Sequence, residues 1–402
     1  MSRSAARLTR PAVRLTKPLR DAIAAGHPWV YDRAVAAPPT ALAPGTVVRL
    51  VDDRGAVATA LWDPTSPIRV RILDRDADAT IDDAWVAGRV RAAAAARVGD
   101  PLLADSDGWR LVHGENDGLP GLTLDRYGAT AVAVFDGVAA AAWWRPRLAL
   151  VVDAVRDAGV DLAGTWIRGA RGDGGGAAEA LGAVPDGVIE IHEGAARFEV
   201  DVRAGQKTGF FLDQRPNRAL VAAHAAGATV LNLFAYTGGF SVHAALGGAQ
   251  RVTSVDLSAP AVAAIGRNLA RSGVDPAGHE QVAIDAFAFL EQAAAQGRRW
   301  DVVIVDPPSF APSEQARAKA LRAYARLNEL ALAVVEPQGL LASASCSSHV
   351  SEADLLAVLA QASARSGRPL RLRFIGGAGS DHPVLPGFPE GRYLSFLLAA
   401  AA

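Results

Sequence analysis

The sequence is poor in cysteine, because Cys346 is the only one among 402 residues. A single cysteine excludes an internal disulfide framework and any zinc site built from cysteines, and we expect no metal centre. The same scarcity is typical of proteins kept in the reducing cytoplasm, which is the location that we expect.

Long apolar runs and an excess of charge are missing as well. The N-terminal twenty residues lack the apolar core of a signal peptide, and Asp136 interrupts the alanine- and valine-rich stretch 129–144. No such run is long enough to span a bilayer, so we expect no membrane partner. The formal net charge of −1 gives no overall reason to bind nucleic acid, and such a site must therefore be a local basic patch.

The length of the chain predicts two or three compact units. Residues 1–75 carry short alternating segments, Val47–Val51 and Ile68–Leu73, which predict a small β-barrel. Residues 76–195 mix strands with helical patterns such as Trp143–Ala158, which predicts a central α/β domain.

Residues 196–402 alternate short apolar runs with amphipathic segments. The predicted strands are Thr229–Phe234, Arg251–Asp256, Gln281–Ile284, Asp301–Asp306 and Gly339–Ser345. The predicted helices are Phe240–Leu246, Ala259–Arg271, Ala286–Gln296 and Glu314–Val335. This alternation predicts a doubly wound, Rossmann-like α/β domain whose ligand lies beyond the carboxyl ends of the strands.

Basic residues are concentrated in the N-terminal unit. Before the first acidic residue, Asp21, come Arg3, Arg7, Arg10, Arg14, Lys17 and Arg20. Arg69 and Arg71 are two residues apart, so in a strand they face the same side. Charge alone favours a solvated face over a surface that contacts phosphates. The glycine-rich loop Gly172–Gly176 carries no chemistry that we can identify.

The first two strand ends of the last domain suggest a nucleoside cofactor. The first strand leads into Phe234-Ala235-Tyr236-Thr237-Gly238-Gly239, a glycine turn that lacks the dinucleotide and phosphate-loop fingerprints. A turn of this kind suits a nucleoside without phosphates. Asp256, at the second strand end, can accept hydrogen bonds from both ribose hydroxyls, or it can cap the following helix, as Ser258 could also do.

The next two strand ends extend the pattern. Asp285 can accept a hydrogen bond from an adenine amino group or cap a helix. Asp306 begins the run Asp306-Pro307-Pro308, in which the prolines stiffen the backbone where substrate and cofactor should meet. The four strand ends in this order resemble the layout of class I methyltransferases that use S-adenosylmethionine.

Cys346 follows the fifth strand and is flanked by serines. A lone cysteine is usually a small buried apolar residue, but this one lies at the predicted cleft. A thiolate that adds to C6 of a pyrimidine turns C5 into a nucleophile that can take a methyl group, whereas methylation of an amine needs no such catalyst. We therefore predict that Cys346 and Asp306 are catalytic. His349 could lower the pKa of the thiol or cap the next helix.

Several motifs make the chain resemble one family, the bacterial ribosomal RNA large subunit methyltransferase I family. Residues 26–31 (GHPWVY) and 66–71 (SPIRVR) are similar to its RNA-binding PUA domain. Residues 114–122 (GENDGLPGL) and Asp125-Arg126-Tyr127 resemble its central α/β domain. Residues 205–215 (GQKTGFFLDQR) resemble the start of its catalytic domain.

This resemblance implies 5-methylation of a cytosine in large-subunit ribosomal RNA, with S-adenosylmethionine as the methyl donor. It implies that residues 234–239, Asp256, Asp285 and Asp306 line the cofactor pocket and that Cys346 is the nucleophile. It also implies that Gln206 and Lys207 lie by the site. The PUA resemblance now favours RNA phosphates as partners of the basic N-terminal residues, including Arg69 and Arg71. Asp381-His382-Pro383 resembles the family too, without a mechanism.

Other functions are compatible with parts of the pattern. Methylation of uracil at C5 shares the thiolate mechanism, and methylation of a guanine nitrogen would use a similar domain without Cys346. A binding protein for ribosome assembly, with an inactive methyltransferase fold, is the alternative outside enzymes. A nicotinamide-dependent oxidoreductase is disfavoured because the pyrophosphate fingerprint is missing. A homodimer is left open.

Overall fold

The structure is a computed structural model that describes residues 10–169, 177–311 and 313–402. Arg3 and Arg7, from the basic N-terminal cluster, lie outside the described residues, and so does the glycine-rich loop Gly172–Gly176.

The described residues form nineteen strands and ten α-helices, and strands and helices alternate regularly only in the C-terminal part. The strands are β1 Ala12–Arg14, β2 Trp29–Tyr31, β3 Val47–Asp52, β4 Gly55–Trp62, β5 Ile68–Asp74, β6 Gly108–His113, β7 Leu122–Tyr127, β8 Thr130–Phe135, β9 Gly164–Ile167, β10 Glu179–Gly182, β11 Ile189–Glu193, β12 Ala196–Val200, β13 Thr229–Leu233, β14 Arg251–Asp256, β15 Glu280–Ala283, β16 Trp300–Val305, β17 Val335–Ser345, β18 Leu370–Gly376 and β19 Ser395–Ala401. The α-helices are α1 Arg20–Ala24, α2 Asp83–Val98, α3 Val138–Trp144, α4 Leu148–Asp157, α5 Arg215–Ala223, α6 Gly239–Leu246, α7 Ala259–Arg271, α8 Ala286–Ala295, α9 Arg317–Ala333 and α10 Glu352–Ser366.

The N-terminal unit is a small mixed sheet in the order β1-β3-β4-β5-β2. The chain segments that follow the two edge strands, β1 and β2, are hydrogen-bonded to each other. Thr16 N donates to Ala34 O (2.9 Å), and Ala36 N donates to Arg14 O (2.8 Å). The sheet therefore closes on itself, which agrees with the barrel that the alternating segments predict. Val48, Leu50 and Val70 point into its buried interior.

The central unit is a second sheet in the order β10-β9-β8-β7-β6, with α2, α3 and α4 packed on it. The sequence predicts one helix over Trp143–Ala158, and the structure breaks it into α3 and α4. Pro146 lies in the short 3-10 turn between them. Because proline has no N–H to donate to the preceding turn, it interrupts the α-helical hydrogen bonding between α3 and α4.

The C-terminal unit is a sheet in the order β15-β14-β13-β16-β17-β19-β18. Strands β13 to β17 all run parallel to one another, and β19 runs antiparallel to β17. Apolar side chains of α8, α9 and α10 cover one face, and those of α5 and α6 cover the other. This is the predicted doubly wound fold, and its strand order reverses between β13 and β16.

The hairpin β11–β12 joins the central and C-terminal units. The predicted boundary between residues 195 and 196 falls in the turn of this hairpin. Phe198 of β12 packs in one buried cluster with Tyr127 of β7 and Ile265 of α7. The two units therefore share apolar core at this point.

Arg71 ties the N-terminal unit to the central one. Its side chain is 4% exposed and donates to the carboxylates of Glu115 and Asp136, the latter at 2.6 Å. The expectation that Arg71 shares a phosphate-contacting face with Arg69 is thus corrected, because its charge is already paired inside the protein. Arg69 is partly exposed, and its guanidinium lies over the Trp62 ring.

No helix in the described part of the chain combines the length and the apolar composition that crossing a membrane would require.

We expect Arg71→Met to lower the free energy of unfolding by about 3 kcal/mol, because it leaves the Glu115 carboxylate buried without its partner. Urea unfolding followed by tryptophan fluorescence measures the change. Arg69→Met, two residues away in the same strand, is the matched control and should cost about 1 kcal/mol or less. Equal losses for the two variants would contradict the proposed role of Arg71.

Candidate active site

A cavity of about 380 Å³ lies at the carboxyl ends of β13, β14, β16 and β17. The predicted site residues that line it are Gln206, Lys207, Phe234, Ala235, Tyr236, Gly239, Asp256, Asp285, Asp306 and Cys346. Thr237 and Gly238 lie behind this lining, where Thr237 O accepts from Asn268 Nδ2 at 2.8 Å. The N-terminal Arg69 and Arg71 are not among its described lining residues.

The turn after β13 is more strained than its glycines suggest. Phe234 and Tyr236 both have left-handed backbones, with φ of 59° and 48°. Such conformations are costly for residues with a Cβ and persist where the surroundings enforce them, often at functional sites. Asp256 supplies one restraint, because Tyr236 N donates to its Oδ2 at 2.8 Å. The close packing of Gly238 against Ile265 supplies another restraint, since a Cβ at this glycine would lie 2.9 Å from the Ile265 side chain.

Asp256 is a fixed acceptor at the end of β14. Its Oδ1 accepts from Ser258 N at 2.9 Å, and its Oδ2 accepts from Tyr236 N. Each carboxylate oxygen can accept a second bond, so both can also serve a ligand in the cavity. The helix α7 is capped by Ser258 instead, whose side chain accepts from Ala261 N.

Asp285 combines the two roles between which the sequence could not decide. It is the N-cap of α8, and its Oδ1 accepts from Ala288 N at 3.0 Å. The residue also lines the cavity, beside Phe287. One oxygen therefore holds the helix while the other can meet a donor such as an adenine amino group.

The charges of this lining fit a cationic nucleoside better than a phosphorylated one. Carboxylates line the cavity at Asp213, Asp256, Asp285 and Asp306. The lysine and the arginine in the described lining are both paired, Lys207 with Asp213 (2.8 Å) and Arg218 with Glu193 (2.5 Å). A pyrophosphate would face net negative charge here, whereas a sulfonium with ribose and adenine groups would find acceptors.

Cys346 lies at the cavity and not in the apolar core. Its Sγ is 3.9 Å from Pro307 O, and the residue is partly exposed. Burial raises the pKa of the thiol to about 11, the charge of Asp306 adds to this rise, and the charge of Lys207 opposes it. His349 pairs with Glu314 at 3.4 Å, and Ser351 caps α10, so the next helix has another cap.

Asp306 is held in place by a side chain that the sequence did not single out. Gln214 Nε2 donates to Asp306 Oδ2 at 2.9 Å. Burial raises the pKa of the Asp306 carboxyl to about 7, and the negative charge of Asp213 contributes to the rise. At neutral pH this group is therefore close to half protonated, which suits it to pass protons.

Asp213, Gln214 and Tyr393 are the functional candidates that sequence reasoning missed. Asp213 Oδ2 accepts from Lys207 Nζ at 2.8 Å and from Tyr393 OH at 2.6 Å. The run 205–215 contains the first two, and an acid next to an amide in that run was the signal available. Tyr393 has no such signal, because it comes from the far end of the chain.

The Asp381-His382 pair has a structural explanation. Asp381 is fully buried, and its carboxylate accepts from Arg110 N (2.9 Å) and Arg215 Nη1 (3.2 Å). Gly379 N, two residues earlier, donates to Asp213 O at 3.0 Å. The C-terminal loop is thereby fastened to the central sheet and to the start of α5, beside the cavity.

Known proteins resemble this chain over nearly its whole length. The model of the S-adenosylmethionine-dependent methyltransferase family matches residues 166–366, and that of the PUA-like domain matches residues 13–75. A ribosomal RNA large subunit methyltransferase of Deinococcus radiodurans is 39% identical over 98% of each chain. A ribosomal RNA large subunit methyltransferase I of Cronobacter sakazakii is 35% identical over 92% of this chain and 93% of its own.

Solved structures share the fold. A SAM-dependent methyltransferase from Streptococcus mutans superposes with a TM-score of 0.82 at 21% identity, covering 97% of this chain and 100% of its own. A methyltransferase crystallised in complex with SAH reaches a TM-score of 0.83 at 22% identity, covering 98% and 100%. At these identities the likeness concerns the fold alone.

We expect Asp285→Ser to weaken binding of S-adenosylhomocysteine about tenfold while leaving stability within about 0.5 kcal/mol. Serine keeps the N-cap of α8 but removes the second oxygen that faces the cavity. Titration calorimetry and urea unfolding measure the two quantities. Asp275→Ser is the matched control, because Asp275 caps a 3-10 turn and is not among the cavity lining, and it should leave the affinity unchanged. Unchanged affinity in Asp285→Ser would remove this residue from the binding site.

Proposed function

The chain belongs to the ribosomal RNA large subunit methyltransferase I family, and on that basis we propose that it methylates C5 of a cytosine in large-subunit ribosomal RNA through a covalent adduct with Cys346. It is an S-adenosylmethionine-dependent RNA methyltransferase. The observation that carries the finer proposal is the position of the Cys346 thiol, at the cavity and electrostatically coupled to Asp306.

The cofactor site follows from the fit of charges and acceptors. We assign S-adenosylmethionine to the end of the cavity formed by the turn 234–239, Asp256 and Asp285. The two carboxylates accept from the ribose and the adenine, and the acidic lining favours the positive charge of the sulfonium. When bound, this cofactor supplies the methyl group that C5 of the base takes up.

The chain's own part is to make C5 nucleophilic. A base in a duplex cannot reach such a cavity, so the target nucleotide enters unstacked. Cys346 Sγ forms a bond to C6, its proton passes to ionised Asp306, and the electron pair of the C5–C6 double bond becomes available at C5. The C5 proton then leaves to water, the S–C6 bond breaks, and Asp306 returns its proton to the sulfur.

The energetic cost of activating the thiol is compatible with catalysis. Moving the proton from a thiol with a pKa of about 11 to a carboxylate with a pKa of about 7 costs about 5 kcal/mol. A turnover of about 10 per second allows a total barrier of about 16 kcal/mol, so the transfer occupies only part of it.

Three competing functions are less well supported. Methylation of a guanine nitrogen would leave the cavity position of Cys346 and the raised pKa of Asp306 without a use. An inactive assembly factor would have no need for the restrained turn and its acceptors. Methylation of uracil at C5 shares the covalent chemistry, and it differs from the proposed reaction in how the Watson–Crick edge of the base is recognised.

We propose a division of labour among three domains, with bounds 1–75, 76–195 and 196–402. The N-terminal barrel holds the RNA, through basic residues such as Arg69 and Lys17 that contact phosphates, while the C-terminal domain carries out methyl transfer. Gln206 and Lys207 face the substrate from the start of the catalytic domain. The expected location is the cytoplasm.

Cys346→Ala should abolish methyl transfer, because no other group in the described cavity lining offers a thiol to C6. Incubation with labelled cofactor and ribosomal RNA that lacks the modification, followed by nucleoside mass spectrometry, measures the loss and identifies the product. Ser348→Ala, an exposed position two residues away, is the matched control and should retain activity. Full activity of Cys346→Ala would favour methylation of a nitrogen.

The rate of the chemical step should rise with pH up to about 7 and then level off, because the ionised form of Asp306 accepts the thiol proton. Below its raised pKa of about 7 the carboxyl is protonated and cannot do so. Single-turnover methyl transfer between about pH 5.5 and pH 9 tests this. A tenfold rise for each pH unit, with no plateau by about pH 9, would mean that thiolate formed in solution is used and would contradict the role of Asp306.

A further inference from the structure

Asp213 carries a carboxylate oxygen that the fold itself does not use. Its side chain is 3% exposed and lines the cavity. Oδ2 accepts from Lys207 and Tyr393, but Oδ1 is buried and has no hydrogen-bond partner among the described residues. A buried acceptor without a partner costs about 1–3 kcal/mol, so its persistence points to a partner that arrives with a ligand.

The charge state of this oxygen is well defined. Burial alone would raise the pKa of the Asp213 carboxyl, but the charge of Lys207 and the hydrogen bonds from Lys207 and Tyr393 hold the pKa below its ordinary value. Asp213 is therefore ionised at neutral pH. An ionised carboxylate only accepts hydrogen bonds, so Oδ1 selects a donor.

Asp213 lines the same cavity as Asp306 and Cys346, the two groups that the proposed reaction uses. Gln214, the next residue, bonds to Asp306, and the charge of Asp213 raises the pKa values of both Asp306 and Cys346. Coulomb coupling of this kind acts over short distances inside a protein. Asp213, Asp306 and Cys346 thus line one cavity and are close enough for their charges to interact.

We propose that Asp213 Oδ1 accepts a hydrogen bond from the exocyclic amino group on C4 of the target cytosine and that this contact excludes uracil. The inference rests on the proposed cytosine-C5 function and names the residue that determines its specificity. Cytosine presents an amino donor at C4 and an acceptor at N3, whereas uracil presents a carbonyl at C4 and a donor at N3.

Asp306 completes the complementary pattern. Once it has taken the thiol proton it is a neutral acid, and it can donate to N3 of cytosine beside the acceptor Asp213. Once Asp306 holds the thiol proton, uracil would place its C4 carbonyl oxygen against the Asp213 carboxylate and its N3–H against the Asp306 O–H, which is also a donor. Sites built to pair with a substrate donor reject analogues without it because buried groups are then left unpaired.

The test combines a change in the protein with a change in the base. The substrates are two RNA fragments that span the modified nucleotide, one with cytidine at the target and one with the riboside of pyrimidin-2-one, which lacks the amino group. On the cytidine RNA, Asp213→Asn should have a kcat/KM at least about tenfold below that of the wild-type protein. On the pyrimidin-2-one RNA, Asp213→Asn should lower kcat/KM by less than about twofold relative to the wild-type protein, because the contact is already absent.

A purely structural role for Asp213 predicts a different result. The variant would then lose the same factor on both RNAs, and that outcome overturns the inference. Asp186→Asn, the same substitution at a fully exposed aspartate, is the control and should change neither rate. If Asp213→Asn does not fold, Asp213→Glu is carried through the same comparison, and equal losses on the two RNAs refute the contact, because only the difference between the losses on the two bases isolates it.

The outcomes for this inference and for the proposed function are separable. Nucleoside mass spectrometry of RNA methylated by the wild-type protein comes first. A product other than 5-methylcytidine refutes the proposed function and the inference together. If 5-methylcytidine is formed but Asp213→Asn lowers kcat/KM by the same factor on both RNAs, only the assignment of Asp213 fails.

Discussion

Two of the four carboxylates that line the cavity, Asp213 and Asp306, differ in charge, and the chemistry that we propose for the site depends on this difference. Asp213 is bonded to Lys207 and Tyr393, whereas Asp306 is bonded to the neutral amide of Gln214. Neighbouring like charges cannot both be ionised at low cost, so the group with the stronger partners keeps its charge and the other is pushed toward neutrality. Burial and the charge of Asp213 together raise the pKa of Asp306 to about 7, which suits the proton exchange with Cys346 that we propose. The charge states of both carboxylates therefore depend on the ion pair between Lys207 and Asp213.

This balance rests on contacts from distant parts of the chain. The C-terminal loop supplies Tyr393, and that loop is itself fastened by Asp381 to Arg110 of the central sheet and Arg215 of α5. The central domain therefore acts on the candidate active site by holding the loop, and its described residues are not among the cavity lining. Arg71 makes the corresponding link between the central domain and the N-terminal barrel. Ion pairs therefore connect the N-terminal barrel to the central domain, and the central domain to the loop beside the cavity.

On the cofactor side of the cavity, each acidic residue can both hold the backbone and bind a ligand. Asp256 restrains the left-handed Tyr236 through its backbone N–H and still has lone pairs for a ligand. Asp285 caps α8 with one oxygen and presents the other to the cavity. The same acidic residues that shape the backbone thus set a negative field, which favours a sulfonium cofactor over one with phosphates.

What the sequence determined by itself was local. The helix α7 has the predicted bounds because Ser258 caps its start, and the strand-end acids and Cys346 meet at one cavity because parallel strands present their carboxyl ends at the same edge of a sheet. The tertiary structure decided everything that depends on charge pairing through space. Arg71 alternates like a surface residue, but Glu115 and Asp136 of another domain bury it. Asp213 became a candidate only beside Tyr393, 180 residues further along the chain, because a carboxylate's charge state is set by its neighbours and not by its position in the sequence.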